Sequence, residues 1–444
     1  MHLRLGALAA IVCIAGCRPD LEGELKADGS FTGLQVFEAD GSPWAGALSG
    51  SELVLLSLAD GQQCRVSEVS SFLPASNAVL TWSSGALGFV DTSCRELIEP
   101  IATEAPEELA SRMLGGRWSE HVFVTTADGV LRLINPWANE VIALGSEVRA
   151  WRWAEAATLW MFEGGALVLR DLEGTPDRQL GIEVNDVSFL SPGEAVYADR
   201  DGVWWVRSPL DEPELLAAGG CEPQALRDGM GVAYLAPCAE RRLVTHDLVI
   251  GTTEVIASGV DEYRADTSPI YFRQGDMLFA STGGAVTEVA AQGVLSSVRR
   301  VSYQGQTAHL LLTTDMLLLR FDGSTTQTLF ENVAAFQVRH EHIAVVDGAG
   351  TLLLQSEGGG GIEALSSAVP IDRFGFASQL EALGWIGGFD GVRGRLELDS
   401  LTTEDRGTLE DEASEFVEVR SDTLPGVAYL VPDGERAGIW FATP

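Results

Sequence analysis

Two short stretches of the sequence carry residue types that could bind a metal ion. The tripeptide His340-Glu341-His342 places two imidazoles on one face of a predicted strand, and two such nitrogens can begin a metal site. No third ligand is visible in the sequence, so we interpret the pair as incidental. The stretch Asp199-Arg200-Asp201-Gly202 begins like a calcium loop, but Trp204 and Val206 stand where further oxygen ligands are required. We interpret it as a turn and predict neither a metal site nor a cofactor.

Residue patterns for covalent catalysis are sparse. The sequence contains no Gly-x-Ser-x-Gly, no His-Glu-x-x-His and no phosphate loop. The single lysine, Lys26, precedes the predicted folded region, so no lysine is left there to form a Schiff base. A dispersed triad stays open, because triads are recognised by geometry and not by sequence position. We predict that the protein is not an enzyme, and we assign no catalytic residue.

The chain has eleven tryptophans, which could form a platform for a carbohydrate or a quinone. Several of them lie inside predicted strands, where packing between sheets is the ordinary role of a large aromatic side chain. These are Trp82, Trp118, Trp153, Trp160 and Trp385. We predict a packing role for the tryptophans and keep ligand binding as the alternative, above all for Trp204-Trp205.

The elements that must position such residues follow a repeat. Short apolar runs rich in β-forming residues recur along the whole chain at a mean spacing of about 39 residues. They begin at residues 78, 121, 158, 195, 231, 269, 309, 342, 383 and 426. The pentapeptide Gly-Val-Ala-Tyr-Leu occurs identically at 231–235 and 426–430, which supports a true internal repeat. Periods near 40 residues with several strands each are typical of β-propeller blades.

Each unit is predicted to contain four antiparallel strands joined by turns. The clearest copy covers residues 187–218, with strands at 187–190, 195–198, 203–207 and 214–217. In this copy, Ser191-Pro192-Gly193 followed by 195–197 and 199–204 is similar to the TolB-like (PD40, WD40-like) propeller repeat. A single stretch, 127–133, looks like the blades of quinoproteins. The resemblance to TolB-like repeats implies an all-β propeller fold.

The number of blades is less clear from the sequence. About ten four-stranded units exceed the usual four to eight blades, so one large ring, two smaller rings or fewer true blades all stay open. A lone strand at 31–37 opens the fold and the last unit ends with a strand at 437–443, which predicts closure between the two termini. The excursions at 99–109 and 402–415 and the glycines 358–361 are predicted to be surface loops.

The N-terminus has the organisation of a bacterial export signal. Residues 1–4 are cationic, and residues 5–14 form an apolar run far shorter than the roughly 20 residues that cross a bilayer. The tetrapeptide Ile14-Ala15-Gly16-Cys17 resembles the lipobox of bacterial lipoproteins. That resemblance implies cleavage before Cys17 and acylation of its thiol. An ordinary signal peptide is the alternative.

These observations divide the chain into a lipoprotein signal peptide (1–16), a flexible tether (17–30) and a β-propeller (31–444). The tether is predicted because residues 18–30 contain proline, glycine and almost no apolar side chain. An acylated Cys17 would anchor the protein to a membrane of the cell envelope. Arg18 stands where an aspartate would favour retention in the inner membrane, so we predict the outer membrane.

Four cysteines remain once Cys13 leaves with the signal peptide and Cys17 is lipidated. An even number in an exported protein predicts two disulfides and argues against a metal site, since none of the four lies in a Cys-x-x-Cys pair. Cys221 and Cys238 flank the turn-forming residues 228–231, so in an antiparallel hairpin they face each other. By elimination Cys64 pairs with Cys94.

The charge balance narrows the classes of partner. The chain has 64 acidic and 29 basic residues, a formal net charge of -35 at pH 7, with 46% hydrophobic residues. The acidity is therefore a surface property of a chain with ample core. Nucleic acids and anionic lipid surfaces need clustered cations, and the only basic doublets are Arg241-Arg242 and Arg299-Arg300, both in predicted strands. We predict no nucleic-acid partner.

Two functions from different classes fit the sequence. The favoured one is a membrane-anchored interaction scaffold in the cell envelope, whose partner is a protein or an envelope polymer. The alternative is a propeller-type enzyme, such as a lyase or hydrolase, or a small-ligand sensor with its site at the channel mouth. Convergent polar side chains around one such site would favour the alternative.

Overall fold

The computed structural model describes an all-β chain. It covers residues 23–443 except 76, 103–105, 111–120, 127–128, 156–157, 174–175, 192, 291–294, 304–305, 341, 357–360 and 403–405. Within this part of the chain there are 44 strands in eleven four-stranded antiparallel sheets, and the only helical segment is the 3₁₀ turn Cys238–Glu240. No helix in these residues is long and apolar enough to cross a membrane. Cys17 and Trp118 lie outside the described residues.

The strands are numbered in chain order, and sheets 1 to 10 each use four consecutive strands. After β1 (Glu24–Asp28) they are, for sheet 1, β2 (Thr32–Ala39), β3 (Ser42–Ser49), β4 (Glu52–Ser57) and β5 (Gln63–Val66); for sheet 2, β6 (Ser71–Ala75), β7 (Ala78–Ser83), β8 (Ala86–Asp91) and β9 (Ile101–Ala102); for sheet 3, β10 (Pro106–Ala110), β11 (Val122–Thr126), β12 (Leu131–Asn135) and β13 (Glu140–Gly145); for sheet 4, β14 (Val148–Glu155), β15 (Thr158–Glu163), β16 (Ala166–Asp171) and β17 (Arg178–Gly181); for sheet 5, β18 (Asp186–Ser191), β19 (Glu194–Ala198), β20 (Gly202–Val206) and β21 (Glu214–Ala218).

The remaining sheets continue the same order. They are, for sheet 6, β22 (Cys221–Ala225), β23 (Gly231–Leu235), β24 (Leu243–Asp247) and β25 (Thr253–Ala257); for sheet 7, β26 (Glu262–Arg264), β27 (Ile270–Gln274), β28 (Met277–Thr282) and β29 (Ala285–Ala290); for sheet 8, β30 (Leu295–Tyr303), β31 (Gln306–Thr313), β32 (Leu318–Phe321) and β33 (Thr326–Phe330); for sheet 9, β34 (Val333–Arg339), β35 (His342–Asp347), β36 (Leu352–Gln355) and β37 (Ile362–Ser366); for sheet 10, β38 (Phe374–Ala377), β39 (Ala382–Gly387), β40 (Gly394–Ser400) and β41 (Arg406–Ala413); for sheet 11, β42 (Glu415–Val419), β43 (Gly426–Val431) and β44 (Gly438–Ala442), joined by β1.

The chain divides into two compact units. One consists of Met1–Ser67 and Asp372–Pro444 and holds sheets 1, 10 and 11; the other, Glu68–Ile371, holds sheets 2 to 9. Within each sheet the turns between the first and second and between the third and fourth strands lie at one end, here called the hairpin end. The turn between the second and third strands and the connection to the next sheet lie at the other, here called the linker end.

The predicted fold class is confirmed, with one blade more than the sequence suggested. All ten predicted apolar runs are second strands of sheets, from β7 to β43. The eleventh blade is sheet 1, which begins with the strand predicted as lone. Its second strand, β3, was not recognised because Ala45, Gly46 and Ala47 give it a small-residue composition, although all three are buried.

The N-terminal strand β1 corrects the predicted tether. It pairs antiparallel with β44, from Glu24 opposite Phe441 to Asp28 opposite Gly438. Sheet 11 therefore takes one strand from the start of the chain and three from its end, so the expected closure between the termini is present. β1 resembles a tether in sequence because it is an edge strand whose side chains are mostly exposed.

Two predicted surface loops also contain strands. The excursion at 99–109 includes β9 and most of β10, and the one at 402–415 includes β41. Both stretches are rich in acidic residues, which a first or fourth strand tolerates because one of its edges is not paired within the sheet. Of the glycines 358–361, the first three lie outside the described residues.

Burial explains why the second strands are continuous apolar runs. Every residue of β23 is buried. Val232 and Tyr234 pack against sheet 5, in a cluster with Val196 and Trp205. The alternate residues, Ala233 and Leu235, pack against sheet 7, in a cluster with Phe272. Because successive side chains of a strand point to opposite faces, a blade between two neighbours needs apolar residues at every position of its central strands.

Backbone hydrogen bonds fix five of the connections that follow blades of the larger unit. At five linkers a buried valine donates its N–H to a carbonyl in the turn between the second and third strands of the preceding sheet, at distances of 2.7 to 3.0 Å. The pairs are Val148 to Gly129, Val184 to Gly165, Val260 to Arg241, Val333 to Met316 and Val369 to Gly350. In each case the residue before the valine has a positive φ. The left-handed residue turns the chain and the valine anchors it.

Side chains of the first strands add a second tie between neighbouring blades. Arg152 Nη1 donates to the carbonyl of Phe189 at 2.9 Å, and Ser188 Oγ accepts the N–H of Ala225 at 2.8 Å. Gln224 Oε1 accepts the N–H of Ala265 at 2.9 Å. Each contact reaches the first strand of the next sheet, so it couples one repeat to the one that follows.

The repeated pentapeptide begins with a glycine for a packing reason, which gives a first prediction. A Cβ on Gly426 would lie 2.3 Å from the carbonyl oxygen of Ala442 on the paired strand β44. Gly426→Ala is therefore expected to lower the free energy of unfolding by about 1–3 kcal/mol. The control is Gly407→Ala, because no heavy atom lies within 4 Å of that Cβ and the change there should stay within about 0.5 kcal/mol. Urea titrations that gave equal stabilities for the two variants would contradict this account.

Candidate functional site

The structure contains a disulfide between Cys221 and Cys238, with their Cα atoms 5.6 Å apart. The register argument for this pair needs a correction. Cys221 on β22 stands opposite Leu235 at the end of β23, and Cys238 lies three residues further on, in the 3₁₀ turn. The turn folds back towards β22, which brings the two sulfurs together. Cys64 and Cys94 are also disulfide-bonded.

Each of the two metal-like stretches begins directly after one strand and ends on the first residue of the next strand. His340 has φ 50° and lies between β34 and β35, while His342 begins β35, so the two imidazoles do not share one strand. The carboxylate of Asp199 accepts the backbone N–H groups of Asp201 and Gly202 at 2.8 and 3.1 Å. Among the described residues no group of three or more His, Cys, Asp or Glu side chains is placed to hold a metal ion.

Several tryptophans of the described chain serve packing, whereas Trp137 is exposed. Trp160 and Trp385 are fully buried. Trp204 stacks on Tyr197, with ring centroids 6.4 Å apart, and its Nε1 donates to Asp199 at 2.9 Å. Trp205 is buried against sheet 6, with the Arg207 guanidinium 4.4 Å from its ring centroid. The predicted candidates for a ligand platform, Trp204 and Trp205, therefore already have structural partners.

A cavity in the larger unit brings together polar side chains that no sequence motif marks. It lies at the hairpin ends of sheets 6 and 7 and has a volume of about 630 Å³, within the range of small-molecule sites. Its walls come from the turns that follow β22, β24, β26 and β28, with one residue from β30. Leu226, Ile256 and Ile270 form an apolar floor and also belong to the cluster between sheets 6 and 7.

Two arginines face this cavity without a carboxylate partner. Arg227 belongs to the turn after β22, and Arg300 lies on β30. Most other arginines in the described chain form ion pairs. Neither Arg227 nor Arg300 has an ion pair with a described residue. In so acidic a chain, two guanidiniums at one cavity leave several N–H donors available for an external oxyanion.

A buried histidine lies beside the arginine of β30. His309 stands opposite Arg300 in the ladder of sheet 8, and a hydrogen bond of 2.5 Å joins its Nδ1 to the hydroxyl of Tyr271. Burial lowers the pKa of His309, and the positive charges of Arg300 and Arg227 lower it further. Burial also raises the pKa of Tyr271 well above its usual range. The pair is therefore neutral at neutral pH and adds no charge beside the arginines.

The cavity is also lined by acidic side chains from sheet 6. Asp247 Oδ1 accepts the N–H groups of Val249 and Ile250 in its own turn, at 2.8 and 3.0 Å. Glu254, on the fourth strand of sheet 6, reaches across to Gly284 of sheet 7, where a Cβ would overlap its carboxylate. Next to it, His246 Nδ1 is 2.8 Å from Thr253 Oγ1, and burial lowers the pKa of His246. The cavity is therefore lined by both cationic and acidic side chains.

No pattern in the sequence predicts this cavity. In the sequence, Arg300 stands out only as half of a basic doublet in a predicted strand, and residues 228–231 only as a predicted turn. The doublet Arg241-Arg242 lies in a turn and not in a strand. A turn residue and a strand residue some seventy positions apart meet only because sheets 6, 7 and 8 are neighbours, and nothing in their local sequences marks that proximity.

Neither a protein-family model nor a curated protein matches the sequence. Among solved structures, the chain is similar to a eukaryotic initiation factor, with 12% identity, 71% of this chain and 90% of that chain covered, and a TM-score of 0.41. It is similar to the computationally designed Ika8 protein, with 15% identity, coverage of 75% and 97%, and a TM-score of 0.32. It is also similar to the tricorn protease, with 11% identity, coverage of 89% and 49%, and a TM-score of 0.29. Likenesses this weak say nothing about activity.

The disulfides give a second prediction. Non-reducing peptide mapping of the full chain is expected to recover one peptide that joins Cys221 to Cys238 and another that joins Cys64 to Cys94. Replacing both Cys221 and Cys238 by serine should lower the free energy of unfolding by about 3 kcal/mol, because the bond closes a loop of 17 residues in the unfolded chain. A peptide that links Cys221 to Cys64 or Cys94 would refute the pairing.

Proposed function

We propose that the protein is a lipid-anchored propeller of the bacterial cell envelope that acts as an interaction scaffold. The lipobox-like stretch ending at Cys17 supports the anchor, and the disulfide-bonded cysteines fit an oxidising compartment outside the cytoplasm. The TolB-like pattern at 191–204 agrees with an extracytoplasmic propeller. The blades supply a rigid frame, and the turns at their ends supply the surface that a partner contacts.

The observation that carries this proposal is uncompensated negative charge at the linker ends. Asp276, Asp315 and Glu331 are exposed in turns and linkers of the adjacent sheets 7 and 8. None of the three has an ion pair with a described residue. Such a surface attracts a cationic patch and repels an anionic one, and screening over about 8 Å at physiological ionic strength weakens the attraction. The partner that fits is a protein with a basic surface.

The second candidate function is a small-ligand sensor or a propeller-type enzyme. The cavity between sheets 6 and 7 favours it, because Arg227, Arg300 and His246 line one site together with Glu254. Convergent polar groups above an apolar floor are the usual composition of a ligand pocket. The two functions use different surfaces and can coexist in one protein.

The anchor gives a third prediction. In the native host, Cys17→Ser is expected to abolish incorporation of labelled fatty acid and partitioning into a detergent phase, because the thiol that would carry the lipid is gone. Cys13→Ser is the matched control: it lies in the predicted signal peptide and should keep both properties. Acyl labelling that persists in Cys17→Ser would show that the lipid is elsewhere or that Cys17 is not modified.

The charge gives a fourth prediction. The full-length protein with Asp276→Asn, Asp315→Asn and Glu331→Gln is expected to lose capture of its envelope partner. For the wild type, the amount of partner captured is expected to fall roughly tenfold between low and physiological salt. The control variant, Asp211→Asn, Asp266→Asn and Glu288→Gln, removes the same charge from exposed sites away from the linker ends and should keep capture.

Quantitative mass spectrometry of captured proteins across a salt series, with and without a chelator, makes this comparison. Equal loss in both triple variants would show that only net charge matters. Capture that strengthens as salt rises would show an apolar contact and overturn the proposed surface. Loss on adding a chelator would point instead to an anionic polymer bridged by divalent cations.

A further inference from the structure

We propose that the cavity between sheets 6 and 7 binds a small molecule that carries one oxyanion group, a carboxylate or a phosphate, which Arg227 and Arg300 hold. This inference deepens the second candidate function and rests on it, and it is independent of the acidic surface at the linker ends. It names the chemical class of the ligand and the side chains that select it.

Arg227 and Arg300 supply the hydrogen-bond donors of the proposed site. A guanidinium offers N–H groups in a planar fork that matches an oxyanion, and charge-assisted hydrogen bonds of this kind are about twice as strong as neutral ones. Arg227 and Arg300 come from different sheets, and both line this one cavity. Two such forks aimed at one cavity can hold one oxyanion together.

Both arginines are available to bind an oxyanion, because the nearby carboxylates accept other hydrogen bonds. The nearest acidic residue in sequence, Asp228, uses its Oδ1 to accept the N–H of Met230 at 3.0 Å. Asp247 likewise accepts two backbone N–H groups within its own turn. These carboxylates stabilise turns and do not form ion pairs with Arg227 or Arg300 among the described residues. The neutral Tyr271–His309 pair neither competes for the oxyanion nor supplies another cation.

The other residues that line the cavity restrict the rest of the ligand. The apolar floor of Leu226, Ile256 and Ile270 suits a short aliphatic segment. Beyond it, Glu254 has no ion pair with a described residue and would repel a second anionic group. The geometry therefore selects a ligand with one anionic end and a neutral or cationic remainder over a dianion of similar length.

Isothermal titration calorimetry on the full-length, detergent-solubilised protein tests this with a matched series of probes. Butyrate and γ-aminobutyrate carry one carboxylate, glutarate carries two, and butylammonium carries only the cation; inorganic phosphate tests the other source of an oxyanion. We expect butyrate and γ-aminobutyrate to bind, glutarate to bind more weakly, and butylammonium not to bind. Heat with phosphate but not with butyrate would assign the site to phosphate compounds.

Variants locate the binding. Arg227→Gln and Arg300→Gln are each expected to weaken binding of the preferred oxyanion by roughly tenfold. Arg299→Gln is the control, because it removes the same charge from the next residue of β30, whose side chain points to the other face and does not line the cavity. Glu254→Gln should improve glutarate binding more than butyrate binding, because it removes the charge that repels the second carboxylate.

Several results would overturn the inference. Absence of binding by both butyrate and phosphate would do so, as would binding that the two arginine variants and Arg299→Gln weaken equally. Thermal unfolding of each ligand-free variant shows whether it is folded, and since the two arginines lie on different sheets, one misfolded variant leaves the other as the test. The triple variant at Asp276, Asp315 and Glu331 should keep oxyanion binding, so failure of this site and failure of the proposed scaffold surface remain distinguishable.

Discussion

The constraint on which the structure depends is that a sheet of four short strands cannot bury both of its faces alone. A blade inside the larger unit is packed between two neighbours, as β23 shows: Val232 and Tyr234 pack against sheet 5, and Ala233 and Leu235 against sheet 7. The burial of apolar side chains is non-directional, so it does not determine how one blade is aligned against the next. The valine N–H bonds at the linkers and the side-chain bonds between first strands do so, because a hydrogen bond fixes distance and direction.

This division of labour explains where variation is tolerated. The central strands are committed to packing on both sides, and the linkers are committed to their backbone bonds. The hairpin ends carry neither obligation, and there the cavity opens between sheets 6 and 7. Its floor of Leu226, Ile256 and Ile270 is the last layer of the core, and its walls are turn residues. The fold thus leaves polar chemistry to positions whose loss would not dismantle a blade.

The sequence predicted the fold well because its signal is strongest where burial is two-sided. Ten second strands were located from apolar runs, whereas β3 was missed because Ala45, Gly46 and Ala47 fill a narrow space without looking hydrophobic. In sequence, the edge strands β1 and β41 resemble a tether and a loop, because exposed strands need few apolar residues. The candidate site was not predictable in this way. Arg227 and Arg300 are ordinary surface residues in sequence and acquire meaning only when three blades are placed side by side.

The acidic composition also takes a different meaning once the turns are known. Several aspartates accept backbone N–H groups at the start of turns, and at Asp322 hydroxyl and backbone donors of Thr325 and Ser324 hold the pKa of the carboxyl far below its usual value. The Asp322 carboxylate therefore stays ionised even in acid, because these hydrogen bonds favour its charged form. Part of the negative charge is therefore a by-product of joining many short strands with tight turns. The acidic residues available to bind a partner are those that make no such bonds, such as Asp276, Asp315 and Glu331. These residues distinguish a binding surface from carboxylates that only stabilise turns.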